Sequence, residues 1–419
     1  MRVARAVRSI GARSVNANHE QTATAQTQAP IRVGVLGLGR AFTLMRPTFS
    51  RDPRVKLVAA FDPTASACAK FSEDFGGRVH ASPEALFAHN EVELVYIATP
   101  HQMHAAHVAL AAAAGKHVLL EKPMAIALAD CNSMIAAMQS AERQLIVGPS
   151  HSFDAPVLKA RAIIESGELG RVRMITALNF TDFLYRPRRP EELQTEKGGG
   201  VVHSQAAHQL DVVRLLGGGV VKSVRAHTGQ WDDARPTEGA YSAMLTFADG
   251  AFATLTYSGY AHFDSDEWMG WQGELGAMKS PDDYGVARRR LAAITNADDE
   301  ARAKANRNYG GSNYIAPPAP ATHEHFGPVI VSCERGDLRL MPDGVWVYGN
   351  ETRRFEPASM ADVPRSEVID ELWAVLRNGR RPQHDGAWAR ATTEASLAIL
   401  ESAKCNCEVQ LHQQVPWQR

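Results

Sequence analysis

Residues 31–39 read Ile-Arg-Val-Gly-Val-Leu-Gly-Leu-Gly. A β-branched and leucine-rich run closed by glycines 37 and 39 is a strand that turns into G-x-G, the opening of a dinucleotide fingerprint. The first glycine permits the tight turn. The second lets the backbone approach a pyrophosphate, which then sits at the N-terminus of the following helix. Gly37, Gly39 and the adjoining Arg40 are therefore candidate cofactor-binding residues. The third position of the pattern is Phe42 rather than a small residue, so some close helix–strand packing is expected to be lost there. The next strand, 55–61, leads into Asp62, 23 residues after Gly39. A carboxylate at that place suits hydrogen bonds to a ribose diol and repels a 2′-phosphate, so NAD is expected over NADP.

Strand and helix patterns then alternate. Helices are predicted over 65–75, 83–89, 103–114 and 129–139. Strands are predicted over 94–98, ending in Thr99-Pro100, over 118–120, and over 145–147. This alternation predicts an α/β fold with a doubly wound parallel sheet of the Rossmann type, whose ligands bind at the carboxyl ends of the strands. Thr99, Pro100, His104, Glu121 and Lys122 fall on that rim with the glycines and Asp62. The stretch GKHVLLEKP (115–123) is the unusual one. It ends an apolar strand in a lysine, and a partly desolvated lysine has its pKa pushed down toward the range useful for proton transfer. A strand-end lysine that simply reaches solvent is the plain alternative.

Length and composition bound the rest. A chain of 419 residues predicts two domains. The expected division is a disordered extension over 1–30, a nucleotide domain over 31–150, an α+β substrate and oligomerisation domain over 151–405 and a tail over 406–419. The extension carries Arg2, Arg5, Arg8 and Arg13 ahead of its first acid, Glu20, but has no secretory apolar core. A net charge of −1 argues against nucleic acid or a membrane surface as partner. No apolar run suits a membrane span. Five scattered cysteines fit a reducing, cytoplasmic setting better than a disulfide framework, and Cys405-x-Cys407 has no matching ligand pair for a metal.

Two later segments carry possible chemistry. After Gly198-Gly199-Gly200, a predicted helix sets Ser204, His208 and Asp211 on one stripe opposite Ala206, Leu210 and Val213. Such a stripe is most often solvated. Upstream, TDFLYRPRRP (181–190) presents Arg186, Arg188 and Arg189, either as forks for a substrate carboxylate or as a basic loop balanced by Glu191 and Glu192. Residues 264–325 interrupt the second domain's strands with a charged helical piece (286–307) and a proline-rich exit. An insertion of this length is often a lid or an oligomer contact. Within it, Trp268 and Trp271 are candidates either for a ring-binding pocket or for core packing.

The motifs VGVLGLG, YIATPHQMH (96–104), GKHVLLEKP, VLKARAIIESGELGRVRMI (157–175) and GGGVVHSQAAHQLDVVRLLGG (198–218) resemble the Gfo/Idh/MocA oxidoreductases. The resemblance runs over about 31–405. It implies a Rossmann domain followed by a domain with an open, mainly antiparallel sheet, and a homo-oligomer. It also implies nicotinamide-dependent hydride transfer, with Lys122 and His208 catalytic and Asp211 a recurrent companion. No metal is called for, since hydride transfer belongs to the cofactor. Many polyol-oxidising relatives carry an aspartate where this chain has Ser204. Its replacement implies a carboxylate-poor pocket suited to an anionic substrate, with Ser204 and the arginines 186, 188 and 189 as substrate contacts. DFLYRPRRPEEL together with GGGVV-S-QAAHQLD looks most like the phthalate 4,5-cis-dihydrodiol (4,5-dihydroxyphthalate) dehydrogenases. The implied reaction is NAD-dependent oxidation of a carboxylated cyclic dihydrodiol. A sugar or inositol dehydrogenase and a non-catalytic nicotinamide-binding sensor are the competing readings.

Overall fold

The computed structural model describes residues 28–316 and 320–418, so most of the expected N-terminal extension and prolines 317 and 318 lie outside the described residues. The first sheet is built from β1 (Ile31–Leu36), α1 (Arg40–Arg51), β2 (Val55–Phe61), α2 (Ala65–Phe75), β3 (Arg78–Val79), α3 (Pro83–Phe87), β4 (Leu94–Ile97), α4 (His104–Ala113), β5 (His117–Leu120), α5 (Leu128–Ser140) and β6 (Leu145–Val147). Its strands run parallel in the order β3-β2-β1-β4-β5-β6. The order reverses direction between β1 and β4, which opens a crevice at their carboxyl ends. The strands read as near-continuous apolar runs because helices cover both faces. Every residue of β4 is buried.

The second sheet collects α6 (Ala155–Glu165), β7 (Val172–Phe180), α7 (Ala207–Leu216), β8 (Val221–Gly229), β9 (Ala240–Phe247) and β10 (Phe252–Ser258). It continues with α8 (Val286–Ala292), α9 (Ala297–Asn306), β11 (Val329–Cys333), β12 (Gly336–Met341), β13 (Gly344–Tyr348) and β14 (Arg353–Pro357). The chain ends with α10 (Ser366–Asn378), α11 (Gly386–Cys405) and β15 (Val409–Gln410). The strand order is β14-β13-β12-β11-β7-β10-β9-β8-β15, antiparallel except where β7 meets β10. Turns at Asp249-Gly250 and Asp343-Gly344 close two of its hairpins.

Packing does not follow a simple division along the sequence. Val368, Ile369, Leu372 and Val375 of α10 are buried in the same cluster as β1 and α1 of the nucleotide domain. Residues 409–410 extend the second sheet, and Trp417 packs on Trp388 with ring centroids 5.3 Å apart. Cys405 and Cys407, part of a cysteine set that the sequence reads as fitting a reducing setting better than a disulfide framework, are joined by a disulfide; it closes a loop of one intervening residue and staples no two elements together.

The insertion lies across both domains. Its charged piece is two helices, because Asn296 caps α9 by accepting the N–H of Asp299 at 2.9 Å. Beyond α9, the Tyr309 N–H donates to Thr43 Oγ1 at 2.9 Å and its hydroxyl to Asp74 at 2.7 Å. Gly310, at φ +74°, lies so close to α2 that a Cβ would stand 2.5 Å from the Ala67 Cα.

Candidate active site

A cavity of about 1200 Å³ runs along the carboxyl rim of the first sheet and under the second. Gly37, Gly39, Arg40, Asp62, Thr99, Pro100, His104, Glu121 and Lys122 line it from the nucleotide domain. Ser204, His208, Arg186, Arg188 and Arg189 line it from the other side. The structure therefore brings these fourteen residues singled out from the sequence to one cavity, while Asp211, Trp268 and Trp271 stay outside its lining.

The dinucleotide end has the features a pyrophosphate requires. Gly37 has φ +99°, and a Cβ there would meet the Ala98 carbonyl oxygen at 2.8 Å. A Cβ on Gly39 would meet nothing within 4 Å, so the backbone is open to the cavity. No side chain caps the N-terminus of α1, which leaves its N–H groups for a ligand. Asp62 is fixed by two main-chain donors, Leu38 N–H and Thr64 N–H, each at 2.7 Å. Phe42, at the third fingerprint position, is fully buried. It meets Phe71 at 6.3 Å and Tyr309 at 5.1 Å, so the packing expected to be lost is replaced by an aromatic cluster reaching into the insertion.

His104 and Glu121 act behind this surface rather than at it. His104 is 1% exposed, and its two ring nitrogens face the carbonyls of Met124 (3.1 Å) and Thr99 (3.0 Å). Burial lowers its pKa to about 4, so it is a neutral bolt that shapes the Thr99–Pro100 turn. Glu121 accepts the Tyr96 hydroxyl at 2.5 Å, and burial raises its pKa.

Lys122 sits at the carboxyl end of β5 and reaches across the cavity. Its ammonium donates to the Ser204 carbonyl at 3.2 Å. Burial pushes its pKa down, while Glu121 and Glu274 partly restore it. Ser204 contributes that carbonyl; its hydroxyl is turned back onto Gly200 O. His208 is buried, with Nδ1 3.5 Å from Ser150 Oγ, and among the described residues its Nε2 has no hydrogen-bond partner. Burial, then Lys122 and His151, hold it well below the ordinary histidine range, so its imidazole is neutral.

The helix carrying His208 has no solvated stripe, since every residue of α7 is buried. Asp211 points away from the cavity and accepts Trp388 Nε1–H at 2.6 Å, Thr392 Oγ1–H at 3.1 Å and the Ser152 hydroxyl. It anchors the helix. The arginine loop divides as well. Arg186 reaches the cavity, donating to Asp182 at 3.0 Å and standing 3.9 Å from Glu274. Arg188 is committed to its own loop, stacked 3.5 Å over Phe183 and donating to the Phe183 carbonyl at 2.6 Å. Arg189 is paired with Glu191 at 3.0 Å and Glu192 at 3.6 Å, which is the balanced basic loop. Trp268 is 56% exposed and Trp271 lies outside the cavity lining, so neither forms a ring pocket there.

Sequence reasoning missed a charged cluster facing Lys122 and His208. His151 lies 4.7 Å, ring to ring, from His208. Its Nδ1 is 2.7 Å from Asp154 and its Nε2 3.8 Å from Glu274. Burial opposes its charge, but Asp154 and then Glu274 outweigh burial and push it up to about 10, so it is an imidazolium beside a neutral one. Glu324 takes the Arg365 fork at 2.7 and 3.0 Å. Ligand atoms of His151, Asp154 and Glu324 lie within 4.8 Å of one another, yet each already has a protein partner. The carboxylate-poor pocket expected from Ser204 is thus corrected, because Asp154, Glu274 and Glu324 supply anions from other elements. His151 follows the carboxyl end of β6, so the rim rule applied to that strand would have found it. Glu274 has no such local signal.

Residues 31–149 match the family model described as oxidoreductase family, NAD-binding Rossmann fold, and 157–279 match the GFO/IDH/MocA C-terminal domain. The chain belongs to the Gfo/Idh/MocA oxidoreductase family. It is 49% identical over 377 residues to the 1-carboxy-3-chloro-3,4-dihydroxycyclohexa-1,5-diene dehydrogenase of Comamonas testosteroni, covering 89% of this chain and 95% of that protein. A Bordetella bronchiseptica RB50 protein assigned as a dehydrogenase has a solved structure that superposes with a TM-score of 0.87 at 41% identity, over 91% of this chain and all (100%) of that one. Inositol 2-dehydrogenase of Rhizobium meliloti is 27% identical over 59% of this chain and 74% of that protein. The Gfo/Idh/MocA chain is therefore an oxidoreductase on an NAD-binding Rossmann fold. Among the described residues, no helix is long and apolar enough to cross a membrane.

Proposed function

We propose that this protein is an NAD-dependent dehydrogenase that oxidises one hydroxyl of a carboxylated cyclic cis-dihydrodiol, such as phthalate 4,5-dihydrodiol, to the corresponding catechol. The observation that carries this reading is the pairing of a half-buried, pKa-lowered Lys122 with a neutral, buried His208 on the cavity that the dinucleotide cradle opens into. Asp62, whose carboxylate would meet a ribose diol and repel a 2′-phosphate, supports NAD over NADP. Bound NAD supplies the hydride acceptor.

Lys122, as the free amine, takes the proton of the reacting hydroxyl as the carbon loses hydride. His208 Nε2 holds the same oxygen and keeps it oriented. The ketone formed from a dihydrodiol then tautomerises to an aromatic catechol, which draws the oxidation forward. The side chains of Arg40 and Arg307 line the cavity with no hydrogen bond or ion pair to a described residue, and they supply cations for the ring carboxylate. The name of the Comamonas relative, a carboxylated ring diol dehydrogenase, supports the same substrate class. Met174, Met244, Phe252 and Ile330 project from the exposed face of the second sheet, which supports pairing of two copies there. A cytoplasmic location goes with this reading.

A polyol reading draws on Glu274 and Glu324, carboxylates able to accept sugar hydroxyls. An NADH-absorbance assay of the purified protein against carboxylated dihydrodiols, inositols and aldoses separates the two. The expected result is turnover of the carboxylated dihydrodiols; turnover confined to polyols would overturn the substrate assignment.

A further inference from the structure

Most carboxylates on the cavity wall already have donors. Asp62 holds two backbone N–H groups, Asp154 the His151 imidazolium and Glu324 the Arg365 fork. Glu274 is different. Its nearest cations, His151 Nε2 and Arg186 Nη1, stand at 3.8 and 3.9 Å, beyond hydrogen-bond length. No described N–H or O–H group donates to its side chain, and the carboxylate faces the cavity that holds Lys122.

The carboxylate is held there by a firm support. The turn around it is closed by Gly273 N–H to Ala277 O and Lys279 N–H to Trp271 O, both 2.8 Å. Lys279 bridges Asp264 and Asp266, and the His325 N–H donates to the Glu274 carbonyl at 3.2 Å. Burial alone would favour the neutral acid, but His151, Arg186 and Lys122 keep Glu274 ionised, with its pKa lowered to about 2. An ionised carboxylate with open lone pairs accepts hydrogen bonds and donates none. The charged groups nearest to it, His151 and Arg186, are donors and cannot receive a hydroxyl proton, and Asp154 and Glu324 on the same wall are already paired with His151 and Arg365.

We propose that Glu274 is a specificity residue: its carboxylate accepts a hydrogen bond from the second hydroxyl of a vicinal diol, the one that is not oxidised. The inference rests on the dehydrogenase reading above and assigns the insertion a part in substrate recognition. It also orients the ring. The substrate's own carboxylate is repelled by Glu274 and turns toward Arg40 and Arg307.

The test uses the full-length protein with NAD and two substrates, a carboxylated cis-dihydroxycyclohexadiene and the same carboxylated ring bearing one hydroxyl. Glu274→Gln and Glu274→Ala are compared with wild type at the pH plateau of each. A lost hydrogen bond to a charged acceptor corresponds to roughly a 10- to 100-fold fall in kcat/KM for the diol. The one-hydroxyl ring should change by less than about threefold, and NAD affinity should hold, which reports an intact fold. Equal losses on both substrates, or no loss on the diol, would overturn the proposal. Failure of wild type to oxidise either compound would instead remove the dehydrogenase reading, and this inference with it.

Discussion

The two walls of the cleft hold their functional groups by different means. On the nucleotide-domain wall each group sits at a strand's carboxyl end and is fixed mainly by backbone: Asp62 by two N–H groups, Gly37 by its positive φ and close approach to Ala98, the Thr99 turn by His104. On the facing wall His151, Asp154, Glu274, Arg186, Glu324 and Arg365 come from separate elements and hold one another by charge. The first wall suits a ligand that is the same in every turnover. The second, assembled from side chains, is where a substrate can be specified.

That contrast can be broken or sharpened by substitution. Second to Lys122→Ala, the largest effect is expected for His208→Asn, which removes the group proposed to orient the reacting oxygen. kcat should fall about 100-fold with NAD affinity unchanged; steady-state kinetics and a binding titration check both. Asp62→Ala should do the reverse, raising the NAD dissociation constant about tenfold and narrowing the preference over NADP while kcat at saturation holds.

The pH profile connects the two walls. Burial lowers the Lys122 pKa, so the base form is present below the ordinary lysine range and kcat/KM rises with pH through a midpoint under 10.5. Glu274 and Glu121 stabilise the ammonium while Arg365 destabilises it. Removing the Glu274 charge therefore lowers the Lys122 pKa further, and Glu274→Gln should move the rising limb to lower pH. A limb unmoved in that variant would separate Glu274 from Lys122. The smallest effect is expected for Arg189→Ala. Its partners are half-exposed glutamates, so activity should stay within about twofold and stability within ~1 kcal/mol, by assay and thermal melt.

The nucleotide wall was legible because short-range patterns dictate it. A strand into G-x-G, an acid after the second strand and a lysine ending an apolar strand each state a local geometry, and parallel topology collects strand ends on one rim. The facing wall was legible where a helix or a short local motif carried it, at Ser204, His208 and Arg186. Glu274 and Glu324 belong to an insertion whose path is set by contacts far away in sequence, such as Tyr309 on Thr43 and Asp74. Arg365 arrives with α10, which returns to the first domain's core. Asp211 shows the converse case. Its stripe with His208 reads most simply as a solvated face, but α7 is buried on every side and Asp211 turns to Trp388 and Thr392 as an anchor.

In the proposed reaction Lys122 takes the proton from a carboxylated dihydrodiol as hydride passes to NAD. The most direct measurement is the rate of NADH formation on mixing wild type or Lys122→Ala with saturating NAD and a carboxylated cis-dihydroxycyclohexadiene. NADH should form with wild type, together with an equivalent of catechol, and at least about 1000-fold more slowly with the variant, which should still bind NAD. Near-normal NADH formation by Lys122→Ala would contradict the claim.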